Sequence, residues 1–194
     1  MAIHSKTVPA QESFDIVRQI APLVNTGEVY LFQGESRVLS AALHEFIFKF
    51  ARSGPVYVVV GANRISFDQL PRSLGEDIGH AYEIMDRIWV SRAETCYQTK
   101  DVLSALDPCG APLVILDMLE SFYEEDLSIS EVTLTLRSCM ERIHQLSEAS
   151  PVVISASSSS ERPSLIRLLE GACDQRFYFE SVKSDIPMPQ PRMF

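Results

Sequence analysis

A glycine after one strand and an aspartate after another stand where phosphate chemistry would place them, but the decisive lysine is missing. Val29-Tyr30-Leu31-Phe32-Gln33-Gly34 reads as a buried strand running to a glycine, and Ala42 to Arg52 as an amphipathic helix. That is the strand–loop–helix setting of the pattern G-x-x-x-x-G-K-[ST]. Its backbone amides cradle phosphates, its lysine reaches the β- and γ-phosphates, and its hydroxyl holds Mg²⁺. Gly34 takes the first glycine, Leu39 the second, Ser40 the lysine and Ala41 the hydroxyl position. Leu39 blocks close backbone approach, Ser40 carries no charge, and Ala41 cannot ligate a metal. Glu35 and Arg37 keep charge in the loop without supplying the missing chemistry. The same residues also suit an ordinary strand–turn–helix that never held phosphate. A second run, Leu113-Val114-Ile115-Leu116-Asp117, ends in a carboxylate, the usual setting of a Mg²⁺ ligand. With no phosphates to share the ion, Asp117 reads better as a structural residue accepting N–H bonds beyond the strand end. A third segment, 155–160, is a serine-rich loop broken only by Ala156.

Alternating strands and helices must position these residues. Strand-length apolar runs recur at 28–33, 56–60, 87–90, 112–117, 151–155 and 176–180. Val56-Tyr57-Val58-Val59-Val60 is apolar on both faces, as a buried parallel strand requires. Helical spacing appears at 13–24, 76–86, 95–106 and 130–149; in the last, Val132, Leu136, Met140, Ile143 and Leu146 share a face. Ser130 is a candidate serine cap for that helix. The alternation predicts an α/β fold, a three-layer domain with a mostly parallel sheet flanked by helices. The chain divides into an N-terminal extension at 1–12, a core domain at 13–182 and a proline-rich tail at 183–194. The tail, Ile186-Pro187-Met188-Pro189-Gln190-Pro191, cannot form helix or central strand.

Composition narrows the function classes. With 194 residues the chain is long enough for one domain with a real core. The net charge of −9 opposes a phosphate backbone unless the few cations cluster, and no Lys/Arg run occurs. The four cysteines, Cys96, Cys109, Cys139 and Cys173, form no C-x-x-C pair and read as reduced thiols. The four histidines are equally scattered, so no metal site is expected. No signal-peptide h-region appears in Met1 to Glu12, which predicts an intracellular protein.

Four features fall in one order: Leu23 with Thr26-Gly27 before the first core strand, Gly34-Glu35-Ser36-Arg37, the strand-to-helix step 87–95, and Leu113–Asp117 followed by Phe122 and a long helix. This order resembles the ATPase core of the RecA/RadA-like recombinases, in particular their eukaryotic and archaeal paralogues. In that family the phosphate loop often begins Gly-Glu-x-Arg, matched by Gly34, Glu35 and Arg37, and Asp117 stands as the residual Walker B aspartate. The resemblance spans about residues 13–180, and the RecA-like P-loop-type domain is the fold it implies. The departures are chemical. Active members carry a water-activating glutamate after the second strand, where Gly61-Ala62-Asn63 offers no carboxylate. Their final core strand ends in polar amides, where Ser155-Ala156-Ser157 stands here. Glu124-Glu125-Asp126 occupies the first DNA-binding loop, and the resemblance puts the second at 155–162, with the hydroxyls of Ser157 and Ser158 and Arg162 as its one cation.

The resemblance therefore implies a non-catalytic paralogue without cofactor. It would serve homologous recombination and DNA repair through protein contacts, nuclear in a eukaryote and cytoplasmic in a prokaryote. Its expected partner is another paralogue or the recombinase itself, as in the paired subunits of Shu-type complexes, with DNA bound weakly or only within the complex. Expected anchors at the partner surface are Arg37, Tyr97, Phe122 and Tyr123. Two alternatives stand beside it: a weak nucleotide-binding ATPase of the RecA class, and a SulA-like inhibitor that binds a polymer-forming partner. Phe48-Lys49-Phe50-Ala51 spells the F-x-x-A docking pattern of recombinase protomers but lies inside the helix expected to pack on the sheet.

Overall fold

The structure is a computed structural model; it describes residues 4–9, 24–34, 36–61, 78–123, 127–157 and 162–180. Within those, the side chains of residues 4–9, 36–38, 41, 78–80 and 180 are left undescribed. The strands are β1 (His4–Pro9), β2 (Val29–Gly34), β3 (Val56–Gly61), β4 (Ile88–Ala93), β5 (Leu113–Leu116), β6 (Val152–Ser157) and β7 (Gln175–Glu180). The helices are α1 (Ser36–Ser53), α2 (Ile78–Met85), α3 (Cys96–Ala105), α4 (Ile129–Ser147) and α5 (Pro163–Ala172), with a 3₁₀ turn at Met118–Phe122. The strands form one sheet in the order β1-β7-β2-β6-β5-β3-β4, every neighbouring pair parallel.

Strand alternation divides the core into two layers, because successive side chains leave opposite faces of the sheet. Tyr30, Phe32, Val56, Val58, Val60, Val114, Leu116 and Val153 share one core with Leu43, Phe46 and Ile47 of α1 and Ile84 of α2. Leu31, Val59, Ile115 and Ile154 share the other with Leu103 of α3, Leu136 and Ile143 of α4, and Leu169 of α5. Right-handed crossovers explain the split. The connections β2→β3 and β3→β4 run one way along the sheet and lay α1 and α2 on one face. Those from β4 to β5, β5 to β6 and β6 to β7 run back and lay α3, α4 and α5 on the other. This is the three-layer α/β domain with a parallel sheet that the alternation predicts.

Helix ends are closed by local chemistry. The Thr95 hydroxyl accepts from the Gln98 N–H at 3.1 Å and opens α3. Ser128, not Ser130, caps α4: its hydroxyl accepts from the Glu131 N–H, and the Glu131 carboxylate accepts from the Ser128 N–H at 3.1 Å. This reciprocal capping box needs Glu at the third helical position, which Ser130 lacks. Arg142 of α4 closes the far end of α3, donating to the Leu103 and Leu106 carbonyls at 3.3 and 2.6 Å. Arg87 does the same for α1, donating to the carbonyls of Ala51 and Arg52.

Three elements differ from the sequence reading. His4–Pro9, placed in an N-terminal extension, is the edge strand β1 on β7, so the sheet starts before residue 13. Its polar sequence gives no alternating apolar signal, and an edge strand needs none. Helix α5 has no counterpart among the predicted elements, although Pro163 at its first turn and Leu165 and Leu169 buried four apart are ordinary helix signals. Helix α1 begins at Ser36 rather than Ala42. The predicted helix 13–24 and the tail at 183–194 lie outside the described residues.

Candidate functional site

In an open parallel sheet, ligands collect beyond the carboxyl ends of strands where neighbouring connections leave to opposite faces. Two such places adjoin here. β2 exits to α1 on one face and its neighbour β6 exits to α5 on the other; β5 and β3 part in the same way. The residues at this edge are Gly34 of β2, Ser157 of β6, Asp117 after β5, and Gly61 of β3. Gly34 is paired directly with Ser157 in the register. The topology thus brings together three of the sequence candidates, Gly34, Asp117 and Ser157, at the ends of three consecutive strands.

The local geometry is not that of a phosphate loop. α1 starts two residues after Gly34, so Glu35 alone separates strand from helix. Arg37, Leu39, Ser40 and Ala41 are helical, and the amides of Ser40 and Ala41 fall within the helical hydrogen-bond ladder rather than around a ligand. Leu39, in the second-glycine position, is 1% exposed and belongs to the core. Gly34 itself is held against β7. A Cβ there would overlap the Phe179 carbonyl oxygen and stand 2.9 Å from the Phe179 Cβ. Its glycine is needed for strand packing. The segment predicted as a degenerate loop is therefore a strand end followed at once by a helix.

Gly61 repeats this on the other side of β5. A Cβ there would lie 2.5 Å from the Asp117 carbonyl oxygen. Asp117 has φ 48 and ψ 46, and it is the one non-glycine with positive φ among the described residues. Its N–H donates to the Ser155 hydroxyl at 2.8 Å, and its carbonyl accepts from the Glu120 N–H at 3.0 Å. Its carboxylate does not cap the turn that follows. The Asp117 backbone thus holds this strand end, and aspartate is among the few residues that enter this region at low cost. Ser155 is fully buried within β6, and the sequence reading, which named it at the strand end, gave it no role toward Asp117. Nothing but its hydroxyl in an apolar strand marks it.

The proposed anchors separate. Phe122 is fully buried in the core with Met118 and Leu119, so it cannot meet a partner. The 3₁₀ turn after Asp117 folds its apolar side back under the helices, which the sequence reading placed on the surface. Tyr97 is 47% exposed, and Tyr123 is half-buried against the same core. The Thr99 and Ser121 hydroxyls, bonded at 2.8 Å, tie the first turn of α3, which carries Tyr97, to the turn that leads to Tyr123. Arg162 is half-buried and donates to the Phe122 carbonyl at 3.4 Å, which fixes the base of the serine segment to the turn. Glu35, Ser158 and residues 124–126 lie outside the described residues, as do the side chains of Arg37 and Ala41. In the F-x-x-A segment, Phe48 and Ala51 are buried and Phe50 half-buried. That motif is core here.

A partly buried polar cluster adjoins the site. Gln33, the last residue before Gly34, is 3% exposed, and its amide donates to Glu170 of α5 at 3.0 Å. Glu170 also faces Arg176 and the Tyr178 hydroxyl on β7. It locks α5 over β2 and β7. Among the described residues no three His, Cys, Asp or Glu side chains converge as a metal site, and no helix is long and apolar enough to cross a membrane. Comparison of the chain with protein-family models gives no match, and comparison with curated proteins gives none.

Proposed function

We propose that this chain is a non-catalytic paralogue of the RecA/RadA-like recombinases that assists homologous recombination and DNA repair by protein contacts. The observation that carries the reading is the edge formed by Gly34, Ser157 and Asp117. The strand order sets the first-glycine strand and the carboxylate-ended strand on either side of β6, at a topological switch point where a nucleotide would be sought. There Gly34 packs against Phe179 and Gly61 against the Asp117 carbonyl. A missing lysine and a missing Mg²⁺ hydroxyl remove two charge-assisted contacts worth about 1.5–3 kcal/mol each, or about two to four decades in affinity. The early start of α1 removes the loop as well. A sheet that keeps this order without the loop is suited to holding a surface for another protein. Tyr97, exposed at the start of α3, Tyr123 after the 3₁₀ turn and Arg37 in the first turn of α1 are the anchors assigned to that partner.

Thermal unfolding with ATP and Mg²⁺ separates this reading from the weak ATPase. No saturable stabilisation is expected at millimolar nucleotide; a saturable shift at tens of micromolar would favour the ATPase and sink the proposal. The partner surface is tested by the double variant Arg37→Glu with Tyr123→Ala in co-purification. If the variant folds normally and keeps its partner at wild-type stoichiometry, the docking surface is elsewhere.

A further inference from the structure

We propose that an aromatic groove at the amino end of β3 and β4 receives the proline-rich segment 187–191 of a second copy of this chain. This goes beyond the recombination reading and does not depend on it. The groove has a volume of about 460 Å³ and is lined by Phe50, Pro55, Tyr57, Trp89 and Pro112. Tyr57 and Trp89 meet edge to face, ring centroids 4.9 Å apart, and Trp89 is 48% exposed. An aromatic-lined groove is how proteins bind proline-rich chains, because a polyproline helix arrives with its φ angles already fixed and presents rings to stack on. The chain itself carries such a ligand, Pro187-Met188-Pro189-Gln190-Pro191.

Reach decides between the chain's own groove and a second copy's. The described chain ends with β7, at the carboxyl edge of the sheet. β4 lies five strand spacings away, about 24 Å, and the groove is at the opposite, amino edge, about 17 Å further along the strands. The straight line is about 29 Å, and a path around a flanking helix adds about 10 Å. Residues 181–187 span at most about 25 Å fully extended. Pro187 cannot reach its own groove, so the whole segment 187–191 seats only in the groove of a neighbouring copy. Charge agrees in sign. Arg192 follows the last proline, and the Asp107 carboxylate lies beside Tyr57. Burial raises the pKa of the Tyr57 phenol, and Cys109 and Asp107 raise it further. Exchange in both directions would close a two-fold dimer.

Trp89 is the chain's single tryptophan, so its fluorescence reports the groove directly. Sedimentation equilibrium of the full chain over a concentration series is compared with Trp89→Ala and with the triple variant Pro187→Ala, Pro189→Ala, Pro191→Ala. Wild type is expected to self-associate, with Trp89 emission shifting over the same range. Each variant should weaken association at least tenfold. An equimolar mixture of the two should regain part of it, since the intact tail of one meets the intact groove of the other while the reciprocal contact stays lost. The tail variant leaves the groove untouched, so its result stands even if Trp89→Ala misfolds. A wild type that stays monomeric, or association unchanged by the tail variant, overturns the proposal. So does a Trp89 response to an unrelated proline-rich peptide in a monomeric wild type, which would give the groove to another protein.

Discussion

At the residue scale, the two glycines at the carboxyl edge act as packing residues. Gly34→Ala forces a methyl into the Phe179 backbone. Overpacking of this kind costs about 1–3 kcal/mol. Urea unfolding should show that loss, unchanged by ATP and Mg²⁺; a loss that nucleotide rescues would return Gly34 to a ligand role. The thiols give a second outcome. Burial pushes the Cys139 and Cys173 thiols from 9.0 up to about 12, with smaller contributions from neighbouring Cys96 and Asp174. In the unfolded chain they ionise near 9, while in the fold they stay protonated. Above about pH 9 the unfolded state therefore binds fewer protons and stability falls, by up to about 1.4 kcal/mol per pH unit for each thiol. The loss runs from about pH 9 towards 12. Unfolding at pH 7.5, 9 and 10 measures it, and Cys139→Ala with Cys173→Ala should flatten the slope. An equally steep slope in that double variant would place the linkage elsewhere. Cys109, the exposed thiol, should be the one that reacts with a disulfide reagent in the native protein.

At the element scale, Arg142 fastens α3 to α4 through two carbonyls at the end of α3. Arg142→Ala should cost about 2 kcal/mol, the usual worth of hydrogen bonds from a charged donor. Hydrogen exchange should rise first at the end of α3; a uniform change across the sheet would contradict a local fastening. Much of this level was legible in the sequence. The β-branched run 56–60, the carboxylate-ended run 113–117 and the apolar stripe of α4 each carry their own period, and each became the expected element. What failed carries little pattern or a competing one. β1 reads His4-Ser5-Lys6-Thr7-Val8-Pro9, a polar run without apolar alternation. Ser130 precedes an apolar run as Ser128 does, but Glu131 stands three residues after Ser128 and selects it. The start of α1 was read from a motif template, which demanded a loop through residue 41. Phe122 was read as surface because no local signal says that a 3₁₀ turn will fold back. The candidate site was legible only as an order of strand ends. Ser155, Gly61 and Phe179 enter it through contacts between strands far apart in sequence.

At the scale of the whole molecule, the net charge of −9 sets the expectation for nucleic acid. The isolated chain should bind single-stranded DNA no more tightly than about micromolar at physiological salt, because acidic charge repels the backbone and Arg162 already holds the Phe122 carbonyl. Fluorescence anisotropy measures this, and sub-micromolar binding unchanged by Arg162→Ala would contradict it. On the proposed function the chain acts through a partner, and a specific interface needs about 800 Å² from each side, anchored by aromatic and arginine side chains. The most direct test of the whole account is capture of the tagged full-length chain from the cells that make it, with the retained protein identified by mass spectrometry. The account predicts a recombinase or a recombinase paralogue, held at fixed stoichiometry in the absence of nucleotide and released by Arg37→Glu with Tyr123→Ala. Capture of a cytoskeletal polymer subunit instead, with no recombinase or paralogue retained, would contradict it.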